Sequence, residues 1–332
     1  MTSVFDALLI VSFGGPEGPD DVVPFLQNVT RGRNIPPDRL RDVAEHYLRF
    51  GGVSPINAQC RQLIQSLTAE FAARDLHLPI YWGNRNWHPL LPDVMQQMRD
   101  DGIHSALAFI TSPYSSYSSC RQYLDDIERA REVVGPGSPD VHRLRHYFDH
   151  PGFIAPLSRN VAAALATVSD DDPALLYSAH SIPIAMAEAS DYEAQLREVA
   201  RLVTETAAPG RPWTLVWQSR SGPPSVPWLE PDVGDQLGVV AAGGTRSVVV
   251  APIGFISDHM EVVFDLDVQA AERADALGLR VVRAATVGAA PEFVAMIREL
   301  VEERLDPSAP RRTLGRLELR PECGGRCCLP NR

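Results

Sequence analysis

Short apolar runs recur along this chain with longer amphipathic stretches between them, an alternation that few architectures can absorb. In the first half the runs fall at 7–11, 79–82 and 106–110, and in the second at 174–177, 214–217, 248–251 and 279–282. Strands separated by helix-length segments read as parallel α/β units, and nearly continuous apolar strands imply sheets covered on both faces. The segments between them have helical periodicity: within 56–73, Leu63, Ile64, Leu67 and Phe71 share one face, and 151–168 and 291–305 behave similarly. At 332 residues the chain exceeds what one core usually holds. Gly135-Pro136-Gly137-Ser138-Pro139 opens the best linker and His150-Pro151 starts a new helix. The domain change is therefore expected near residue 145, with domains at 1–145 and 146–310, a tail at 311–332, and one small doubly wound sheet in each domain.

Composition narrows the function classes. Hydrophobic residues are 45% and charged ones 22%, an ordinary globular balance. A net charge of −11 repels polyphosphates, so nucleic acid is not expected as a partner. Gly14-Gly15-Pro16 is not a dinucleotide fingerprint, and no phosphate-binding P-loop motif occurs. The start of the chain lacks a basic region, and the apolar stretches at 7–13 and 248–256 fall short of the roughly 18 residues of a membrane span. Cytoplasmic residence without an integral membrane segment is expected. Five cysteines, at positions 60, 120, 323, 327 and 328, are an odd count that argues against a disulfide framework.

In doubly wound sheets ligands gather at the carboxyl ends of the strands. The unusual residues fall there: Phe13-Gly14-Gly15-Pro16, the stretch 83–89, His180-Ser181-Ile182-Pro183, Gln218-Ser219-Arg220 and Pro252-Ile253-Gly254-Phe255. The loops of both halves are expected to face one cleft. A histidine delivered by a strand into a proline-closed turn is either a hydrogen-bonded turn residue or a group placed for chemistry, since imidazole titrates at about 6.5 and also ligates metals. Ser257-Asp258-His259-Met260-Glu261 reads as a helix start capped by Ser257 or Asp258. Glu261 and Asp265, four apart, share one helical face that Gln269 continues. A solvated acidic face is the plainer reading of that row; with His180 opposite, metal delivery or paired proton abstraction is the sharper one.

Five motifs in order resemble the ferrochelatase family: Gly51-Gly52-Val53-Ser54-Pro55; Arg85-Asn86-Trp87-His88-Pro89; Ser178-Ala179-His180-Ser181-Ile182-Pro183; Trp217-Gln218-Ser219-Arg220-Ser221-Gly222-Pro223 with Pro227-Trp228-Leu229; and Gly254-Phe255-Ile256-Ser257-Asp258-His259-Met260-Glu261. The resemblance implies two similar Rossmann-like domains, each a small parallel sheet flanked by helices, holding a porphyrin into which ferrous iron is inserted. It implies His180 and Glu261 as the catalytic pair that also meets the Fe2+ substrate, with His180 as primary proton acceptor or transient iron ligand, Glu261 receiving the second proton and Asp265 relaying protons or metal. Two pyrrole protons must leave as the metal enters, so bases near neutral pKa are needed. Phe13 stands where some relatives place a tyrosine against the porphyrin, and a phenyl ring packs but does not ligate iron. Gln269 stands where relatives carry a third acid. Arg31, Arg33, Ser54 and Tyr123 match the propionate-binding region, where guanidinium suits carboxylate capture. The likeness to soluble bacterial forms points to coproporphyrin III, with protoporphyrin IX as the alternative and a non-catalytic heme or porphyrin carrier as the alternative of another class. A monomer that contacts other heme-pathway enzymes only transiently is expected.

The tail carries Cys323, Cys327 and Cys328, three thiols in six residues. A 2Fe-2S cluster takes four ligands, and Cys120 matches the internal position at which cluster-bearing relatives supply the fourth. Zinc is the rival, although the spacing lacks the usual knuckle. Cys60 lies in an apolar-faced helix and reads as packing. A redox-sensing iron–sulfur protein would leave His180 and the strand-end loops without a role.

Overall fold

The structure is a computed structural model that describes residues 5–32, 35–168, 172–223, 225–317 and 328. Two compact units emerge. The first comprises Met1–Thr111, Gln122–Leu144 and Ile297–Pro310; the second comprises Ser112–Arg121, Arg145–Met296 and the chain from Arg311.

In the first unit the order is β1 (Ala7–Ser12), α1 (Pro19–Val29), α2 (Pro37–Leu48), α3 (Ile56–Ala73), β2 (Ile80–Asn84), α4 (Leu91–Asp100), β3 (Ser105–Ile110), α5 (Gln122–Val134) and β4 (Asp140–Arg143). The sheet runs β2-β1-β3-β4 with every pair parallel. All six residues of β1 are buried, as an uncharged central strand covered on both faces should be. One face packs Leu9, Val11 and Ala108 against Met95 and Met98 of α4 and Ile127 of α5. The edge strand β4 has the sequence Asp140-Val141-His142-Arg143. It is short and polar, and only pairing with β3 reveals it as a strand.

The second unit runs α6 (Pro151–Ala166), β5 (Ala174–His180), α7 (Ile184–Glu188), α8 (Tyr192–Ala207), β6 (Trp213–Gln218), α9 (Val233–Ala242), β7 (Ser247–Ala251), α10 (Met260–Phe264), α11 (Ala271–Leu277) and β8 (Arg280–Arg283). It also contains the start of α12 (Pro291–Leu305) and two π-helical turns, Tyr117–Arg121 and Asp265–Ala270. Its sheet order, β6-β5-β7-β8, again all parallel, repeats the wiring of the first. Both units are thus small parallel sheets flanked by helices, the expected architecture.

The helix start after β7 differs from its sequence reading. The cap of α10 is His259, in extended conformation, with Nδ1 accepting from Val262 N–H at 3.2 Å. Asp258 is drawn away to Arg283 and Thr286. From Asp265 the chain takes a π turn that runs to Ala270 and includes Gln269. Val262, Leu266, Ala270 and Ala274 pack this segment onto Val216, Val248 and Val250 of the sheet. Each large apolar side chain so buried contributes roughly 1.5–3 kcal/mol, which anchors the segment by one side. Among the described residues no helix is long and apolar enough to cross a membrane.

The end of β7 meets the end of β5 at a glycine. Gly254 N–H donates to Ser178 O at 3.1 Å, and a Cβ at Gly254 would lie 2.6 Å from Ala179 Cβ and 2.7 Å from its Cα. Gly254→Ala is expected to cost about 1–3 kcal/mol through this overpacking, read as a lowered urea midpoint with unchanged slope.

Candidate active site

In the second unit, β5 and β7 are the adjacent strands at which the strand order switches direction, the place where such sheets bind ligands. His180 is the last residue of β5. Its backbone is held on both sides: Tyr192 Oη donates to His180 O at 3.0 Å, and Ser181 N–H donates to Gln218 O at 2.8 Å. The ring is oriented by Nδ1, which hydrogen-bonds the Ser181 carbonyl. A carbonyl only accepts, so Nδ1 carries the hydrogen and the neutral ring offers its lone pair at Nε2. That nitrogen faces Glu261 Oε2 at 3.6 Å.

Glu261, in the first turn of α10, is shared. His259 Nε2 approaches the same Oε2 at 3.7 Å. Because His259 Nδ1 is already an acceptor, its Nε2 carries the hydrogen and points a donor at the carboxylate. Gln218 Nε2 donates to Glu261 O at 2.8 Å, and Ser219 Oγ donates to Asp265 Oδ2. Ser219 sits at φ +62°, a left-handed conformation that a non-glycine residue adopts only when its surroundings enforce it. Gln218, which ends β6, and Ser219 after it therefore hold the Glu261 backbone and the Asp265 carboxylate.

Electrostatics separates the groups. Burial raises the Glu261 carboxyl, but the imidazoles of His180 and His259 outweigh it and bring it down to about 2. Burial lowers the His180 imidazole, yet the Glu261 carboxylate, the Ser181 carbonyl and Asp265 reverse the sign, leaving it above its ordinary value. The Glu261 side chain keeps 48% of its surface open and His180 30%, so solvent screens part of this attraction. His259 ends below its ordinary value, burial outweighing Glu261. Asp265 is pushed up to about 7 by burial, with the Glu261 charge adding and the Ser219 hydroxyl opposing. Four titratable groups thus stand together, one carboxyl held low, one held up to about 7, one imidazole raised and one lowered.

In the first unit a second group forms around Arg85, which follows β2. Its guanidinium stacks 4.5 Å from the Tyr123 ring centroid and 5.8 Å from that of Phe13, and it pairs with Asp126. Its side chain is only 7% exposed. Phe13 meets Phe25 edge-on at 6.3 Å. Tyr123 is 5% exposed and Ser54 3%, so both hydroxyls lie inside the unit. Arg31 is exposed at the end of α1, with Nη2 donating to Asn28 Oδ1 at 2.6 Å. Arg33 lies outside the described residues.

His180, Glu261 and Asp265 are thus together, and Phe13 and Tyr123 are linked through Arg85. Sequence reasoning left His259, Gln218, Ser219 and Arg85 without roles. Gln218, Ser219 and Arg85 each follow or end a strand, a signal that was available. Cys120, on the first π turn, and Cys328 are buried, whereas Cys323 and Cys327 lie outside the described residues. Cys60 packs within α3, its thiol pushed up to about 12 by burial despite a hydrogen bond to Ser12. Among the described residues no group of three or more His, Cys, Asp or Glu is arranged to hold a metal ion.

The family pattern described as Ferrochelatase matches residues 5–305. A ferrochelatase of Rhodopirellula baltica is 53% identical over 331 residues, covering 98% of this chain and 93% of that protein. The coproporphyrin III ferrochelatase of Mycolicibacterium smegmatis is 51% identical over 317 residues, covering 94% and 93%. Among solved structures, SirB from Bacillus subtilis with Fe3+ superposes with TM-score 0.55 at 10% identity, covering 90% of this chain and 98% of that one, a likeness of fold alone.

The His180–Glu261 pair has a testable pH signature. The raised imidazole stabilises the fold below its ordinary pKa, and that gain is lost as pH rises through the native value; the lowered carboxyl stabilises above its ordinary pKa, and that gain is lost as pH falls toward about 2. In Glu261→Gln only the Ser181 carbonyl and the Asp265 charge remain to oppose burial, and the His180 ring-proton NMR titration is expected to move to lower pH.

Proposed function

Because the chain belongs to the ferrochelatase family, we propose that it inserts ferrous iron into coproporphyrin III to give coproheme, with the acid–base group of the second unit performing the chemistry. The observation that carries the assignment of residues is the geometry of His180, whose Nδ1 is committed to the Ser181 carbonyl and whose Nε2 faces a carboxylate at 3.6 Å. The choice of coproporphyrin is supported by relatives of that name at 51% identity in Mycolicibacterium smegmatis and 50% in Frankia alni.

Insertion releases two pyrrole protons for each Fe2+ that enters. His180 Nε2 takes the first or transiently ligates the incoming ion, and Glu261 stabilises the resulting imidazolium. Held down to about 2, the Glu261 carboxylate is a better counter-charge than a lasting proton acceptor. Asp265, up to about 7, has the affinity to hold the second proton at neutral pH and release it. His259 Nε2–H keeps Glu261 in place. In the first unit Phe13 packs against the macrocycle, while Arg31, Arg33, Ser54 and Tyr123 form the propionate region; Arg31 is the described member already at the surface.

The same reading includes a 2Fe-2S cluster on Cys120, Cys323, Cys327 and Cys328. Two of the four thiols are described, and both are buried in the second unit. The chain leading to the tail is tied to the same unit: Leu314 N–H donates to Asp149 O at 2.9 Å and Arg316 N–H to Glu198 Oε1 at 2.7 Å. Such a cluster would pin the tail, a structural role.

Incubation with Fe2+ and either coproporphyrin III or protoporphyrin IX without air, followed by absorbance, names the substrate; faster turnover of protoporphyrin IX would reverse the choice, and no metallated product would favour a carrier. His180→Ala is expected to lower insertion about 100-fold or more while the protein stays folded. Protein purified without air is expected to show visible charge-transfer absorption and acid-labile sulfide, both lost in Cys328→Ser; their absence from the parent protein would remove the cluster.

A further inference from the structure

The second unit also contains a partly buried ion-pair fork that the chemistry above leaves unused. Arg283 ends β8 and is in register with Val250 of β7, so its backbone is fixed by the sheet. Nε and Nη2 donate to Asp267 Oδ1 and Oδ2 at 2.6 and 2.9 Å, while Nη1 and Nη2 donate to Asp258 Oδ1 and Oδ2 at 3.1 and 3.3 Å. Thr286 Oγ1 adds a hydrogen bond to Asp258 Oδ1 at 3.1 Å. Arg283 is 19% exposed in its side chain, unlike the open Arg159–Glu292 pair, so its geometry is not a loose surface contact.

The two acids bracket the reactive segment. Asp258 directly precedes His259, and Asp267 lies two residues beyond Asp265 inside the π turn. One planar cation on a rigid strand thus ties down both ends of the segment that carries His259, Glu261 and Asp265. Asp265 follows Glu261 by an ordinary helical turn, its N–H bonding Glu261 O, and it opens the π turn in which Asp267 is the handle by which the sheet holds the segment.

We propose that Arg283 is a positioning residue for iron insertion, fixing the π turn and so the placement of Asp265 relative to the His180–Glu261 pair. The inference rests on the roles given above to those three residues. Arg283→Gln and Asp267→Asn are each expected to lower kcat for Fe2+ insertion into coproporphyrin III about 10- to 100-fold, with KM for the porphyrin changed by no more than about twofold. The double variant is expected to lose no more than the worse single one, because both remove the same fork. Arg283→Lys, which keeps the charge but not the fork, is expected to recover only part of kcat. A folded Arg283→Gln with parental kcat, a loss expressed in KM instead, or additive losses in the double variant would overturn the proposal. Should Arg283→Gln fail to fold, Asp267→Asn alone decides by the same kcat and KM criterion. His180→Ala in the same assay separates the two readings: if it stays active the site assignment fails, and if it is inactive while Arg283→Gln is normal only this inference fails.

Discussion

A single carboxylate oxygen shared by two imidazoles is the interaction around which the second unit is organised. Glu261 Oε2 stands 3.6 Å from His180 Nε2 and 3.7 Å from His259 Nε2. Each ring reaches it with the nitrogen left over after the other has been used locally, by the Ser181 carbonyl in one case and the Val262 amide in the other. The two rings therefore play opposite parts. His259, lowered by burial, points a donor at the acid, whereas His180 is the partner whose charge the acid stabilises. Neither part follows from residue type; both follow from which nitrogen the backbone has already occupied.

Much of this was legible in the sequence because the signals were local. Apolar runs marked seven of the eight strands, and β4 escaped because Asp140 and Arg143 give it the composition of a loop. His180 was legible from the turn it ends in. The cap of α10 was misread for a physical reason: aspartate is a good N-cap, but Asp258 is claimed by Arg283, which lies 25 residues further on. The π turn has no residue-level signature, so its start at Asp265 could not be read, although Glu261 and Asp265 are the ordinary four-residue pair the spacing gives. Arg85 went unread because Phe13, Tyr123 and Asp126 come to it from separate elements, and propensity carries no information about such meetings.

The two units share strand order and all-parallel pairing, yet their strand ends are furnished differently. After β1 stands Phe13, backed by Arg85 and Phe25, a surface of rings and a buried cation. After β5 stands His180 with its acids. The wiring specifies where a ligand meets such a sheet and leaves open what it meets there, so one arrangement presents rings in one half and titratable groups in the other.

Asp149 gives the C-terminal tail a weight its position in the chain conceals. The residue is fully buried, its carboxylate accepts from Thr313 Oγ1, and Gly315 passes so close that a Cβ would lie 2.5 Å from Oδ2. A polypeptide cut before Thr313 would leave an ionisable group inside the protein with its hydroxyl donor gone. Shortening the chain to study the thiols in isolation therefore disturbs the interior first, and an affinity handle meant to be innocuous belongs on the opposite terminus.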